Sequence, residues 1–426
     1  MTSGAERNFP QAVVKIRTAS LVQTFRESVG LLGTRRFGTF WFASLLSSIG
    51  TWAQQVAEPW LLLTLGASPF VIGLDSFAGD APIWFLTLAG GALADRSDRR
   101  RIIAAFQSIQ MLCPAAIVVL LIAHRVHPWM IVALSTIVGL TDALSMPSFQ
   151  SIVPSILSRD QVARGVALNS TQFNVSRIVG PAIAGALISS FGIMACFALN
   201  TLSYIPFIGI ALWILPRWTP TVRREPAHDP VRVGVRQVFA QRRLRGTLLT
   251  VFLTSLLCSP LITFMPVLVQ VAFHGGVGRY SIVLAMFGIG GLTGAVALLA
   301  VPTTVDRKRL NSTFAVLTGA LLAVTAVNPL LAALPILLLA AGAVMTVSNT
   351  AANSLIQATA DRHLLGQTVS LYMLAIRGGS ALGALLTGAA AVHIGVRHAL
   401  LLNGLLAVTA QIVLGFRRRV GTADAV

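Results

Sequence analysis

The sequence predicts an all-α membrane protein with twelve transmembrane helices in two six-helix bundles, related as a parallel pseudo-two-fold repeat. Three observations predict it. Of 426 residues, 55% are hydrophobic and 11% charged, against about a quarter charged in a soluble domain. Apolar stretches long enough to cross a bilayer follow one another along the chain. The basic residues gather in alternate connections between those stretches.

Spans of about 20 helical residues are drawn over 37–64, 69–93, 101–123, 128–153, 166–189, 192–215, 246–272, 278–302, 312–327, 329–356, 365–392 and 395–416. The ninth is short, and its join to the tenth at Asn328-Pro329 is the weakest boundary. With twelve spans, one face receives 27 of the 32 basic residues and the other three, Arg125, Arg279 and Arg397; Arg177 and Arg377 fall within the membrane. Positive charge stays on the cytoplasmic side, so both termini are expected in the cytoplasm and the chain in a bacterial inner membrane. The net charge of +18 would point to nucleic acid in a soluble protein. Here it is spread over loops, so the expected surroundings are a lipid bilayer without nucleic acid.

The expected organisation is a cytoplasmic tail (1–36), a first bundle (37–215), a linker (216–245), a second bundle (246–416) and a short tail (417–426). The first tail is polar and basic, and the run after it is too long for a signal-peptide core. The linker holds Pro216, Pro220, Pro226 and Pro230, with room for at most one short surface helix. Cys113, Cys196 and Cys258 lie in apolar runs and read as small core residues.

The halves repeat. An offset of 203 places Gly139, Ser151, Arg159, Gly180, Gly185 and Gly192 on Gly342, Ser354, Arg362, Gly383, Gly388 and Gly395 without a gap. Two copies in one orientation imply a two-bundle transporter with its site between the halves near the midplane.

Between the second and third spans stands Gly91-Ala-Leu-Ala-Asp95-Arg96-Ser-Asp98-Arg99-Arg100-Arg101, a charged turn that cannot sit in lipid. Asp306-Arg307-Lys308-Arg309 echoes it in the second half. Gly91, Asp95, Arg96, Arg99 and Arg100 fit the signature of the major facilitator superfamily, with Asp98 where that signature has a second Gly. The chain therefore resembles that superfamily over its whole length, and most closely the branch of the enterobactin exporter and bacterial drug exporters. The resemblance implies that Asp95, with Arg96 and Arg100, closes the cytoplasmic side by contacts across the halves. Ser176 to Gly185 resembles the fifth-helix run of its antiporters, with Gly180, Pro181 and Gly185 matching. Physically, small residues allow close helix approach, and Pro181 removes a backbone hydrogen bond; ordinary packing explains the run as well.

Ionisable groups in a membrane are costly and need partners or water. Six qualify: Glu58, Asp75, Asp80, Asp142, Arg177 and Arg377. Asp142 and Arg177 lie at similar depth on consecutive spans, so an ion pair is expected, extended by Asn174 and Ser170 on the arginine's face. Arg377 has no acidic partner in its own half, which favours an anionic substrate or a contact across the interface. Glu58, with Gln55 and Trp52 on its face and Gln54 one turn away, is the first choice for proton coupling, since a carboxyl in low dielectric readily holds a proton. Asp75 and Asp80 are about 140° apart around a helix, so they serve different surroundings; Asp80 ranks above Asp75, which fits the outer boundary.

The expected function is proton-coupled export of an amphipathic small molecule, siderophore- or drug-like, by a monomer that uses a proton gradient and no cofactor or metal. An importer with the same fold is the alternative. A receptor or lipid-modifying enzyme is disfavoured: the histidines show no metal or triad spacing, and Lys15 and Lys308 lack a phosphate-loop context. The orientation is checked in a cysteine-free background. A cysteine at Ser97 should react with a membrane-impermeant maleimide only in inside-out vesicles, and one at His127 only in right-side-out vesicles; the reverse labelling would invert the topology.

Overall fold

The computed structural model describes residues 28–215, 231–301, 305–359 and 365–423. These residues are almost entirely helical. Among them nine helical segments have the length and apolarity to cross a membrane. Three further segments supply the rest of the expected set: Phe37–Thr64, the pair Pro69–Asp80 and Ile83–Arg96, and Val162–Phe191. Each has spanning length but carries the Gln, Glu, Asp or Arg residues that matter below.

Most span boundaries fall within a few residues of expectation, and their ends have local causes. Pro82 cannot donate to the carbonyl of Ala78, and the second span is interrupted just after Asp80. Pro260 and Pro266 divide the seventh span into Arg242–Cys258, Pro260–Thr263 and Met265–Val267, followed by a π-helical turn over Leu268–Ala272. The ninth span is longer than its apolar run suggested. It covers Arg307–Val327 because Asp306 accepts the backbone N–H of Lys308 at 2.9 Å and starts the helix early.

That cap has a twin. Asp98 accepts the N–H of Arg100 at 3.2 Å and starts the third span, Arg99–Ile122. Its φ of −64° is ordinary extended backbone, so the position of the signature's second glycine takes Asp without strain and uses its side chain. Gly192 (φ +81°) and Gly395 (φ +78°) follow the fifth and eleventh helices, ending at Phe191 and Ile394, in the left-handed conformation that glycine adopts freely.

The repeat extends to packing. Gly139 on the fourth span, Pro128–Gln150, abuts the carbonyls of Ala78 and Gly79 on the second, while Gly342 on the tenth, Leu334–Thr359, abuts the carbonyl of Phe287 on the eighth, Val277–Ala300. Gly180 seats Trp52 of the first span, and Gly383 seats Leu256 of the seventh. Gly185 seats Ser281 across the halves, and Gly388 seats Pro69 and Phe70 across the halves. The three cysteines are free and buried.

The apolar core is divided unequally. One large cluster joins both halves at the arginine-poor end, with Trp60, Ile72 and Phe197 from the first half and Phe264, Tyr280 and Phe287 from the second. Trp60 stacks on Tyr280 across the seam, at 5.6 Å between ring centroids and 16° between planes. At the arginine-rich end the core splits. Phe37, Phe40, Ile103 and Phe207 pack within the first half, and Leu244, Val251, Ile356 and Tyr372 within the second. The halves are thus sealed together at one end and packed separately at the other.

The linker helix Val231–Ala240 buries Val238 against the second half. Residues 216–230, Arg362 and the tail to residue 27 lie outside the described residues.

Candidate functional site

The second and eleventh spans form the tightest seam between the halves. Gly73 abuts the Ala384 carbonyl, and Gly378 lies against Trp84. Gly73 lets two backbones approach closely and Gly378 makes room for the Trp84 indole, which brings Arg377 within reach of the first half. Its Nη1 donates to Asp142 Oδ2 at 2.9 Å and lies 3.5 Å from Asp80 Oδ1. The two carboxylates are neighbours because Gly139, three residues before Asp142, packs on Gly79, the residue before Asp80. The three side chains remain 31 to 40% accessible, so they face an opening rather than a sealed core.

Asp142 therefore pairs with Arg377, not with Arg177 as expected. Consecutive antiparallel spans need not touch. The fourth span packs on the second and third, and the fifth, Val162–Phe191, on the first and eighth. The polar extension also fails: Asn174 donates to the Ser170 carbonyl at 2.8 Å, and Ser170 to the Val166 carbonyl, both within their own helix. Arg177 instead lies between aromatic faces, with Cζ 4.9 Å from the Phe287 ring centroid and 5.8 Å from that of Trp52.

Glu58 accepts two hydrogen bonds, from the Ser135 hydroxyl and from Gln54 Nε2 at 2.8 Å. Gln54 Oε1 in turn accepts from Asn200 Nδ2 at 2.6 Å. Gln55, expected beside the carboxyl, is exposed. The partner is the residue one full turn away, a spacing visible in the sequence. Asp75 is not a boundary residue: it is buried against Glu58 and Ser135, and its Oδ1 has no hydrogen-bond partner. Asp75 and Asp80 do serve different surroundings, one beside Glu58 and one beside Arg377.

At the arginine-rich turn, Arg100 donates to Asp98 at 2.7 Å and to the Leu212 carbonyl at 3.1 Å, and Arg99 to the Ala94 carbonyl at 3.3 Å. The Arg100 contacts stay inside the first half, so Arg100 does not bridge the halves in this arrangement. Among the described residues, no atom lies within 4 Å of where a Cβ at Gly91 would stand. The side chains of Asp95 and Arg96 lie outside the described residues. In the fifth-span run, Ser176, Gly180, Pro181 and Ala184 are buried, and the helix continues through Pro181.

Two helical bundles, sealed at one end and carrying charged groups in their seam, define a multi-pass membrane transporter rather than an enzyme. The chain belongs to the transmembrane secretion effector family of the major facilitator superfamily, whose model matches residues 28–426. It is 26% identical over 264 residues to the staphyloferrin A transporter of Staphylococcus aureus, covering 61% of this chain and 66% of that one. It is 26% identical to the multidrug efflux pump Tap of Mycolicibacterium fortuitum over 392 residues, or 86% and 93% of the two chains. Macrolide efflux protein A of Streptococcus pyogenes is 23% identical, with 89% and 95% covered. In fold the chain is similar to the nucleoside transporter NupG (TM-score 0.70, 12% identity, 89% and 98% covered). It is also similar to a bacterial homologue of the human lysosomal transporter Spinster (TM-score 0.69, 16% identity, 90% and 96% covered).

Replacing Arg377 by Gln strands two carboxylates in the seam. Thermal unfolding in detergent should show a loss of about 1–3 kcal/mol, reduced from a fully buried pair by the partial exposure. Adding Asp80→Asn and Asp142→Asn should restore most of it. A triple variant no more stable than Arg377→Gln alone would remove the ion pairs from the seam's stability.

Proposed function

We propose that this transporter is a proton-coupled exporter of amphipathic small molecules that works as a monomer in a bacterial inner membrane, with both termini in the cytoplasm. The supporting observation is the unequal core. With the arginine-rich face in the cytoplasm, the structure is closed to the outside and unsealed toward the inside, the arrangement in which an exporter loads cargo. Efflux pumps among the relatives support the direction.

The proton site in this reading is Glu58 with Asp75. The pair is chosen on geometry: Asp75 is buried beside Glu58, and the Ser135 hydroxyl and Gln54 hold Glu58 in place. A proton on the pair favours the closed arrangement, where the first two spans pack against the second half. Its release to the cytoplasm puts like charges together and favours the arrangement open to the outside. The coupling is limited by the pair's difference in proton affinity between the two states. Asp80, which shares Arg377 with Asp142, is the second candidate. Arg377 holds the outer side closed from the second half, and the Gly180–Gly185 stretch keeps the fifth span close enough to slide on the eighth. In the opposite state the Asp95, Arg96 and Arg100 turn closes the inner side.

In proteoliposomes with an imposed pH gradient, Glu58→Gln should abolish gradient-driven drug efflux while leaving drug binding within about twofold of wild type. Active efflux by Glu58→Gln would remove Glu58 from the coupling, and gradient-driven uptake by the wild type would replace export with import.

A further inference from the structure

The charges in the membrane do not balance locally. Four carboxyl groups lie within the spans. Asp80 and Asp142 share Arg377, while Glu58 is held by Ser135 and Gln54 with Asp75 beside it. Arg177 is left with no carboxylate and no hydrogen-bond acceptor among the described residues. Yet it stands in the seam, in contact with the first and eighth spans.

What surrounds it is specific. Phe287 and Trp52 approach the guanidinium carbon from their ring faces, which stabilises a cation through the ring quadrupoles. No oxygen or nitrogen acceptor meets its N–H donors among the described residues, and such donors fit a carboxylate edge to edge. The glycine at 291 keeps the neighbourhood open: a side chain there would lie 3.9 Å from Arg177 Nη1 and 3.1 Å from the Thr346 hydroxyl. Arg177 is partly accessible, so a ligand has a way in. A guanidinium cradled by rings with its donors unmet is half of a binding site, and the missing half is an anion attached to an apolar body.

We infer that Arg177, flanked by Trp52 and Phe287, binds the carboxylate of an organic anion whose apolar part lies against the two rings. This rests on the transport reading and narrows it, naming the cargo class as amphipathic carboxylates. Arg377 does not compete for that role, because Asp80 and Asp142 already occupy it. The two arginines divide the work: Arg377 joins the halves, and Arg177 receives cargo.

The test is equilibrium binding to the full chain in lipid nanodiscs, with 2-naphthoate and its neutral isostere 2-naphthamide as probes. Wild type should bind the carboxylate saturably and at least about tenfold more tightly than the amide, the scale of a charge-assisted hydrogen bond. Arg177→Gln should remove that preference while amide binding persists, which shows the variant folded. Arg377→Gln should retain the preference. Equal affinity of wild type for both probes, no saturable carboxylate binding, or a preference that survives Arg177→Gln overturns the assignment. Drug efflux in proteoliposomes is scored separately: its absence, with charge-selective binding intact, refutes export and leaves the anion site standing.

Discussion

An arginine in a bilayer must be answered by something, and how Arg377 is answered organises this molecule. It lies on the eleventh span, and no carboxyl group in the spans of its own half is available. Asp142 and Asp80 reach it from the other half. Satisfying one charge therefore requires two bundles to meet, and it fixes where they meet. The glycines at 73, 139 and 378 are the steric counterpart of that requirement, since each removes a side chain that would meet the backbone of Ala384, the backbone of Gly79 or the indole of Trp84. The shared apolar core around Trp60 and Tyr280 also joins the two halves.

The asymmetry of the core follows. Apolar area buried between the halves at one end stabilises this arrangement. At the other end each half completes its own core, around Phe40 and Phe207 or around Leu248 and Tyr372. In the proposed cycle each bundle would keep its own packing while the seam changes, and the ionisable groups in the seam are where a proton or a ligand would bias the equilibrium.

Much of this was legible in the chain. Apolar run lengths placed the spans, and the 203-residue offset foretold equivalent glycine contacts, down to paired left-handed glycines at 192 and 395. The absence of an acidic partner for Arg377 in its own half pointed to an anionic substrate or across the interface, and the structure holds the second. What failed was partner choice in space. Similar depth on consecutive helices suggested Asp142 with Arg177, but depth does not say which helices touch, and Gly139 on Gly79 commits the fourth span to the second. Of the two glutamines read near Glu58, Gln54 one turn away is the one that meets it, as helical geometry favours. Phe287 beside Arg177, Ser135 beside Glu58 and the burial of Asp75 arise from contacts between spans, for which no local pattern exists.

The bridging role of Arg377 is measured most directly as a distance. Spin labels at His127 and Gly276, on the arginine-poor ends of the two halves, report that separation by pulsed electron resonance in nanodiscs. The wild type should show a short-distance population that shrinks in Arg377→Gln and returns in the triple variant with Asp80→Asn and Asp142→Asn. An unchanged distribution in Arg377→Gln would contradict the claim that this charge holds the halves together.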